Sequence, residues 1–334
     1  MPNKPPTHPV RLKALILTTG LSPIVQPLLD SGHTIVGIVD CSGKEVERPA
    51  SSSLPYRLCR AAYRLLYKDI PSLASVAAQR NIPYYRTDRA ARDPQLAAWI
   101  QERHPDVIAV YYAPILGPHL FTIPPLGTIN LHPSLLPAYR GGHPLFWNVH
   151  NGDTQAGTSV HFVEARTDTG DILYQHAFPI QPGMSEATLE RLAINHHGVR
   201  LMLKALDALA TGTSPRLSQP ENSTTPTATR VNAERLHRLL DWHQPLQRVW
   251  AILRFAQDWP NLLPLPPGWK RPFQWTLGHY TQEPVTGSPG RIAQDRHGYY
   301  LVHPEGKIRL HVHYDLKRLV KWGLLGLRRN AASC

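Results

Sequence analysis

The sequence predicts an α/β protein whose main domain is a Rossmann-like, mostly parallel sheet flanked by helices, followed by a smaller β-rich, OB-like domain. Short apolar runs alternate with amphipathic segments from residue 11 to residue 209, the pattern of repeated βα units. Strand-like runs separated by Gly, Pro and Asp follow between residues 272 and 315. With 334 residues, the chain is long enough for two domains that each bury a core.

The first domain opens with a β-α-β unit. Residues 11–20 are predicted to form a buried strand that ends in a glycine turn, and a short helix that stops at Gly32 leads into a second strand over 33–40. Such units imply right-handed crossovers and a parallel sheet, whose ligands bind beyond the carboxyl ends of the strands. No G-x-G-x-x-G motif follows the first strand, so a dinucleotide site is disfavoured.

The alternation continues to the end of this domain. The sequence predicts helices over 72–80, 94–103 and about 185–209, and strands over 83–86, 106–113, 159–163 and 172–180, with a further strand leading into Asn130. A segment rich in Ser, Thr and Pro follows with almost nothing to bury, so we interpret it as a linker. The predicted division is a first domain of residues 10–211, a linker of 212–230, and a C-terminal domain of 231–334 with two helices, a β-barrel-like unit and a basic tail.

The charge balance is strongly basic, at +12. It favours polyanionic or phosphorylated partners, although a basic surface can equally serve solubility. Arg57, Arg60, Arg64 and Lys68 are three or four residues apart and would form a basic stripe on a helix, as a solvated face or a phosphate-binding patch. We expect the basic tail from Lys317 onward to pack on the β-rich unit rather than to bind a membrane or nucleic acid.

The cysteines and the apolar runs indicate a cytoplasmic protein. The three cysteines have no C-x-x-C spacing, which argues against disulfides and a cysteine-built zinc site. The start of the chain lacks the apolar core of a signal peptide, and no later run reaches the roughly eighteen apolar residues of a membrane span. We therefore expect a cytoplasmic location and no transmembrane segment.

A polar site is predicted where one apolar run ends. Asn130 and His132 are one residue apart, so on a strand both side chains would point to the same face while Leu131 packs inward. Asp168 and Asp171 bracket a Thr-Gly turn further on. An amide donor beside a titratable ring suits a reaction that develops an oxyanion and moves a proton.

The stretch from residue 129 to 171 contains Asn-x-His, Ser-Leu-Leu-Pro, Arg-Gly and Asp-Thr-Gly-Asp in sequence. This pattern resembles the folate-dependent formyltransferase family, which includes glycinamide ribonucleotide transformylase, methionyl-tRNA formyltransferase and the amino-sugar N-formyltransferases. The resemblance implies the formyltransferase fold, 10-formyltetrahydrofolate as formyl donor, no metal, and attack by a primary amine on the formyl carbon. It implies catalytic roles for Asn130, His132 and Asp168, folate contacts by Ile115, Leu116, Ser134, Leu135, Leu136, Pro137 and Asp171, and acceptor contacts by Arg140 and Trp147.

The resemblance leaves the acceptor open. The appended domain and the positive charge favour methionyl-tRNA. The methionyl-tRNA enzymes carry a Q-P-D-R-rich loop where this chain has D-C-S-G-K-E-V-E-R-P, and the run around Trp147 resembles the small-amine branch. We therefore expect a small-molecule amine, such as an amino sugar or a natural-product intermediate. A formyltetrahydrofolate hydrolase and a non-catalytic nucleic-acid-binding module are further alternatives.

Overall fold

The computed structural model describes residues 11–43, 71–259, 262–264 and 273–314. The described chain divides into two compact units. The first contains residues 11–43, 71–181 and 186–230, and the second contains 182–185 and the described residues from 231 onward. The predicted basic stripe of Arg57, Arg60, Arg64 and Lys68 and the basic tail from Lys317 lie outside the described residues.

The first unit is built on a seven-stranded sheet in the order β3-β2-β1-β4-β5-β6-β7. The first five strands pair in parallel, and β6 and β7 are antiparallel additions at one edge. The strands are β1 (Lys13–Thr18), β2 (Thr34–Asp40), β3 (Tyr84–Arg86), β4 (Val107–Tyr111), β5 (Thr128–His132), β6 (Gln155–Phe162) and β7 (Ile172–Pro179). The mostly parallel α/β sheet predicted from the sequence is confirmed.

Helices connect these strands and cover the sheet. Ser72 and Asp93 accept hydrogen bonds from backbone N–H groups at the starts of two of them, and Gly152 ends another in the left-handed conformation. The helices are α1 (Val25–Leu29), α2 (Leu73–Gln79), α3 (Pro94–Gln101), α4 (Pro118–Phe121) and α5 (Pro144–Asn151), with a 3-10 turn at Ala90–Arg92. In the described part of the chain, no helix is long and apolar enough to cross a bilayer.

The long helix predicted near residues 185–209 contains an irregular middle. It runs as α6 (Glu186–Glu190), a π-helical segment (Arg191–Gly198) and α7 (Val199–Ala210). The π-helical segment packs on β5, where Gly198 lies so close to Leu131 that an added Cβ would be 2.9 Å from its methyl groups. A glycine is therefore required for this close approach of the helix to the strand that carries Asn130 and His132.

The interpretation of residues 212–230 as a solvated linker is wrong, because this segment belongs to the first unit. Ala228 is fully buried, and its backbone exchanges hydrogen bonds with Arg140 and His143. Leu217 also pairs with Ile172 at the start of β7. The segment holds its place mainly through polar and backbone contacts, which its lack of apolar residues did not reveal. We name it the 212–230 strap.

The second unit contains two helices and an antiparallel sheet in the order β8-β11-β10-β9. Its elements are α8 (Ala233–Leu239), α9 (Leu246–Phe255), β8 (Phe273–Thr281), β9 (Ile292–Asp295), β10 (Gly298–His303) and β11 (Gly306–Tyr314). This matches the predicted small β-rich unit. The described residues provide four strands, whereas an OB fold has five, so its OB-like character stays a prediction.

The core of the first unit gives a test of its packing. Leu15 lies on the central strand β1 and is fully buried, whereas Leu21 is 42% exposed just beyond the same strand. We expect Leu15→Ala to lower the free energy of unfolding by about 3 kcal/mol, because it leaves a cavity, and Leu21→Ala to change it by about 0.5 kcal/mol or less. Urea denaturation of both variants measures this, and equal losses would contradict the placement of β1.

Candidate active site

A cavity of about 320 Å³ lies beyond the carboxyl ends of the central parallel strands. The segment after β4 forms its apolar wall, and a turn between β6 and β7 forms its polar wall. The residues that line it are Val110, Ala113, Pro114, Ile115, Leu116, Asn130, Gly141, Gly142, His161, Val163, Glu164, Arg166, Thr167, Asp168 and Arg230. This is the place where an open parallel sheet is expected to bind its ligand.

Of the two site residues predicted on β5, only Asn130 lines this cavity. Asn130 is half-buried and lines it, whereas His132 is 5% exposed and does not. The His132 Nε2 atom lies 3.1 Å from the Tyr139 carbonyl oxygen, so the ring is held in the protein interior. The expectation that both side chains converge directly on one reacting atom is therefore not met in this structure.

Asp168 joins His132 to the cavity. Its Oδ2 atom lies 3.6 Å from His132 Nδ1 and accepts a hydrogen bond from the Gly141 N–H at 2.9 Å. Its Oδ1 atom lies 3.5 Å from His161 Nε2. The residue has a φ of 55°, a left-handed conformation that Asp tolerates better than most residues. These distances bring Asp168 beside both histidines, and its catalytic role stays a prediction.

The pKa values of this buried pair are shifted by opposing effects. Burial acts to raise the pKa of Asp168, but the neighbouring His132 and His161 and the Gly141 N–H outweigh it, so that pKa lies well below its usual value. Burial lowers the pKa of His132, against a smaller raising effect of the Asp168 carboxylate. At neutral pH the site therefore holds an ionised Asp168 beside a neutral His132.

The tautomer of His132 follows from its neighbours. A carbonyl oxygen can only accept a hydrogen bond, so the neutral ring carries its proton on Nε2 and donates it to Tyr139. Nδ1 is then the basic nitrogen, and it faces the carboxylate of Asp168. A proton taken up by the Asp168 carboxylate can therefore pass to His132 Nδ1, which lies 3.6 Å away.

His161 is a site residue that the sequence analysis missed. Its Nδ1–H donates to the Phe162 carbonyl oxygen at 2.8 Å, which leaves Nε2 to accept from Asn130 Nδ2 at 3.1 Å. This contact fixes the amide of Asn130 with its NH₂ group toward His161. His161 and Asn130 are cross-strand neighbours on β6 and β5. The alternating S-V-H-F-V strand was recognised, but the antiparallel register that brings it to Asn130 was not.

The residues expected to contact folate separate into two groups. Ile115 is 71% exposed and Leu116 is buried, and both line the cavity. The Ser134–Pro137 run does not line it. Ser134 Oγ donates to the Ala138 carbonyl, the Leu136–Pro137 peptide bond is cis, and the Pro137 carbonyl accepts from Ser223 in the strap.

The remaining members of the predicted folate set also lie away from the cavity. Leu135 lines a separate hollow of about 460 Å³ together with Tyr139 and Asp153. Asp171 lies 3.9 Å from Arg216 Nη1. The Ser134–Pro137 loop and Asp171 thus do not line the cavity. Of the residues predicted to contact folate, Ile115 and Leu116 line it.

The two residues expected to bind the acceptor have other partners. Arg140 is 8% exposed, and its guanidinium donates to acceptors of residues 219, 220 and 221 in the strap. The Trp147 indole N–H donates to the Thr229 carbonyl oxygen at 2.9 Å. Neither lines the cavity. The Arg140 guanidinium binds the chain itself in this structure, and its contact with the acceptor stays a prediction. Trp147 is half-buried, and its contact with the acceptor likewise stays a prediction.

Within the described residues, no group of three or more His, Cys, Asp or Glu side chains is arranged to hold a metal ion.

The comparisons with known proteins identify the family to which this chain is similar. The family model described as Formyl transferase matches residues 53–206. The methionyl-tRNA formyltransferase of Roseiflexus castenholzii is 32% identical over 250 residues, which cover 73% of this chain and 72% of that protein.

Two solved structures share the fold. An N-formyltransferase from Helicobacter canadensis, in complex with folinic acid and dTDP-3-aminofucose, aligns with a TM-score of 0.55 at 14% identity over 91% of this chain and 99% of that chain. The sugar 3N-formyl transferase WlaRD aligns with a TM-score of 0.56 at 16% identity over 91% of this chain and 97% of that chain. The identity to the Roseiflexus enzyme, extended over most of both chains, shows that this chain belongs to the formyltransferase family.

Proposed function

We propose that the chain transfers a formyl group from 10-formyltetrahydrofolate to a primary amine, and that the amine is that of methionyl-tRNA. The observation that carries the reaction is the Asn130, His132 and Asp168 cluster at the cavity of a formyltransferase-family fold. The acceptor rests on the methionyl-tRNA formyltransferases among the relatives. The small-molecule amine favoured by the sequence analysis becomes the second candidate.

Asn130 is the group suited to stabilise charge on the formyl oxygen. An amide nitrogen has two N–H bonds, and one of them is directed at His161. The other can donate to the oxygen as it gains negative charge during attack by the amine. Because Asn130 is fixed by His161 before the substrate arrives, little reorganisation is needed in the transition state.

Asp168 and His132 are suited to move the proton that the amine must lose. Asp168 lines the cavity, so its carboxylate can take this proton directly or through water. A carboxyl group with such a low pKa holds a proton weakly, and the basic Nδ1 of His132 lies 3.6 Å behind it. The pair can therefore take up the proton and return one to the departing folate nitrogen.

The apolar wall of the cavity fits a flat donor ring. Val110, Ile115 and Leu116 offer aliphatic surface, and the neighbouring backbone offers hydrogen-bonding groups. The Helicobacter canadensis N-formyltransferase is described in complex with folinic acid, which supports a folate in the corresponding place.

Charge supports a phosphate-bearing acceptor. The chain has a net charge of +12, and Arg166 and Arg230 line the cavity. Both methionyl-tRNA and a nucleotide-linked amino sugar carry phosphate. The structures of sugar enzymes share only the fold at their level of identity, whereas the methionyl-tRNA enzyme is 32% identical. These comparisons favour tRNA over the amino sugar.

The catalytic roles lead to a first prediction for activity. We expect His132→Ala and Asp168→Asn each to lower kcat for formyl transfer by about 10²-fold or more, because both groups act as charge develops. Asn tolerates the left-handed backbone at residue 168, so the second variant removes charge with little strain. Folate binding should persist in both, and His237→Ala, at an exposed helical position, serves as a control. Near-normal turnover by either variant would refute its assigned role.

The acceptor is tested by steady-state assays of methionyl-tRNA and a dTDP-linked amino sugar across a salt series. We expect methionyl-tRNA to be formylated and its KM to rise steeply with salt, because each phosphate contact releases counterions. A nucleotide sugar makes fewer such contacts and would show a weaker dependence. Efficient formylation of the sugar without formylation of methionyl-tRNA would replace our choice with the second candidate.

The neutral state of His132 also predicts how stability depends on pH. Its folded-state pKa lies below the ordinary value of about 6.5, so the unfolded chain binds a proton that the folded chain does not. The stability that neutral His132 contributes to the folded state is complete above about pH 6.5 and is lost as pH falls toward the lower folded-state pKa. We expect the wild type to lose more unfolding free energy than His132→Gln when the pH falls from 7.5 to 5. Urea denaturation at each pH measures this, and a shift in favour of wild type would contradict a neutral His132.

A further inference from the structure

We propose that Gln219, in the 212–230 strap, is a positioning residue that holds Asp168 in its reactive orientation. The inference rests on the proposed function insofar as Asp168 is the group that takes the proton. It assigns a role at the catalytic centre to a segment whose sequence shows only a polar connection.

The side-chain amide of Gln219 bridges two parts of the site. Its Nε2 group donates to the carbonyl oxygens of Asp168 at 3.1 Å and Gly170 at 2.6 Å. Its Oε1 atom accepts from Arg140, at 3.2 Å from Nε and 2.9 Å from Nη2. Both N–H bonds and the oxygen of this half-buried amide are therefore used within the site.

Arg140 completes a closed ring of contacts. Besides Gln219, its guanidinium donates to the Glu221 carbonyl at 3.0 Å and the Pro220 carbonyl at 2.8 Å. The next residue, Gly141, donates its N–H to the Asp168 carboxylate. Asp168 is thus held at two points, its carbonyl by Gln219 and its carboxylate by Gly141, and Arg140 links the two holding groups.

The geometry of Asp168 explains why such a hold is needed. With a φ of 55°, its backbone occupies a conformation that residues with side chains adopt infrequently. The adjacent turn is crowded as well, since a Cβ on Gly170 would lie 2.1 Å from the Phe162 carbonyl oxygen. A pair of hydrogen bonds from one side chain to the carbonyls of residues 168 and 170 keeps this turn, and with it the carboxylate, in place.

The strap has other attachments that do not touch Asp168. Leu217 pairs with Ile172 through two backbone hydrogen bonds, and Ala228 is bound to Arg140 and His143 through the backbone. Ser223 donates to the Pro137 carbonyl oxygen. Loss of the Gln219 side chain should therefore leave the strap attached and change chiefly the freedom of Asp168.

The experiment compares Gln219→Ala and Gln219→Glu with Asn222→Ala, an exposed neighbour in the same segment. Glu at 219 can still accept from Arg140 but, when ionised, has no N–H for the two carbonyls. We expect both Gln219 variants to lower kcat by about tenfold to hundredfold while KM for each substrate changes by less than about threefold, because small displacements of a reacting group cost this much. Asn222→Ala should match wild type.

A titration of His132 by NMR in Gln219→Ala provides a readout that separates the two explanations, because a general loss of structure would expose the ring and move its midpoint to higher pH. The Asp168 carboxylate raises the pKa of His132 against the larger lowering effect of burial. If the carboxylate is released, the titration midpoint of His132 should move to lower pH, and it should stay in place in Asn222→Ala. Thermal unfolding of the same samples records any loss of stability.

An unchanged kcat in either Gln219 variant overturns the proposal. So does a fall in kcat that is accompanied by a lower unfolding temperature while the titration midpoint of His132 stays in place. A wild-type protein that formylates no amine would refute the proposed function instead. The movement of the His132 midpoint in Gln219→Ala would still decide, in that case, whether Gln219 holds Asp168.

Discussion

An ionised carboxylate kept beside a neutral imidazole in a buried place is the interaction on which this site depends. Burial disfavours the charge on Asp168 and equally disfavours protonation of His132. The charged state of Asp168 survives because His132, His161 and the Gly141 N–H together outweigh the effect of burial. The loop that carries Gly141 also supplies the Tyr139 carbonyl that selects the tautomer of His132. Residues 139–141 thus contact both groups, and the strap binds this stretch through the Arg140 side chain and the backbone of Ala228.

Much of the fold could be predicted because it follows from local pattern. Buried β1 and β2 are continuous apolar runs, and the helices between strands show the spacing and caps of amphipathic helices. The grouping of Asn130, His132 and Asp168 was implied by the family resemblance alone, because Asp168 lies in the turn between the antiparallel strands β6 and β7 and not at the end of a parallel strand. The sequence pattern does not show the environment of each side chain. It therefore could not predict that Asn130 lines the cavity while His132 is buried in the interior.

The remaining features depend on contacts between residues distant in sequence. His161 reaches Asn130 through the antiparallel register of β5 and β6, and register is not encoded in the strand itself. The role of Gln219 was missed because the polar composition of residues 212–230 was interpreted as that of a linker with almost nothing to bury. Here the polar side chains of the strap are satisfied by backbone carbonyls of the catalytic unit, so a segment with little to bury is nevertheless ordered.

The strap also sets where this protein can be divided into modules. A boundary drawn at the end of α7, where the regular α/β architecture stops, would give a unit that keeps every strand of its sheet yet lacks Gln219 and the backbone partners of Arg140. The smallest transplantable catalytic module therefore extends through Arg230. Exchange of the C-terminal domain during evolution, or in a designed fusion, preserves the catalytic geometry only when the junction falls beyond that residue.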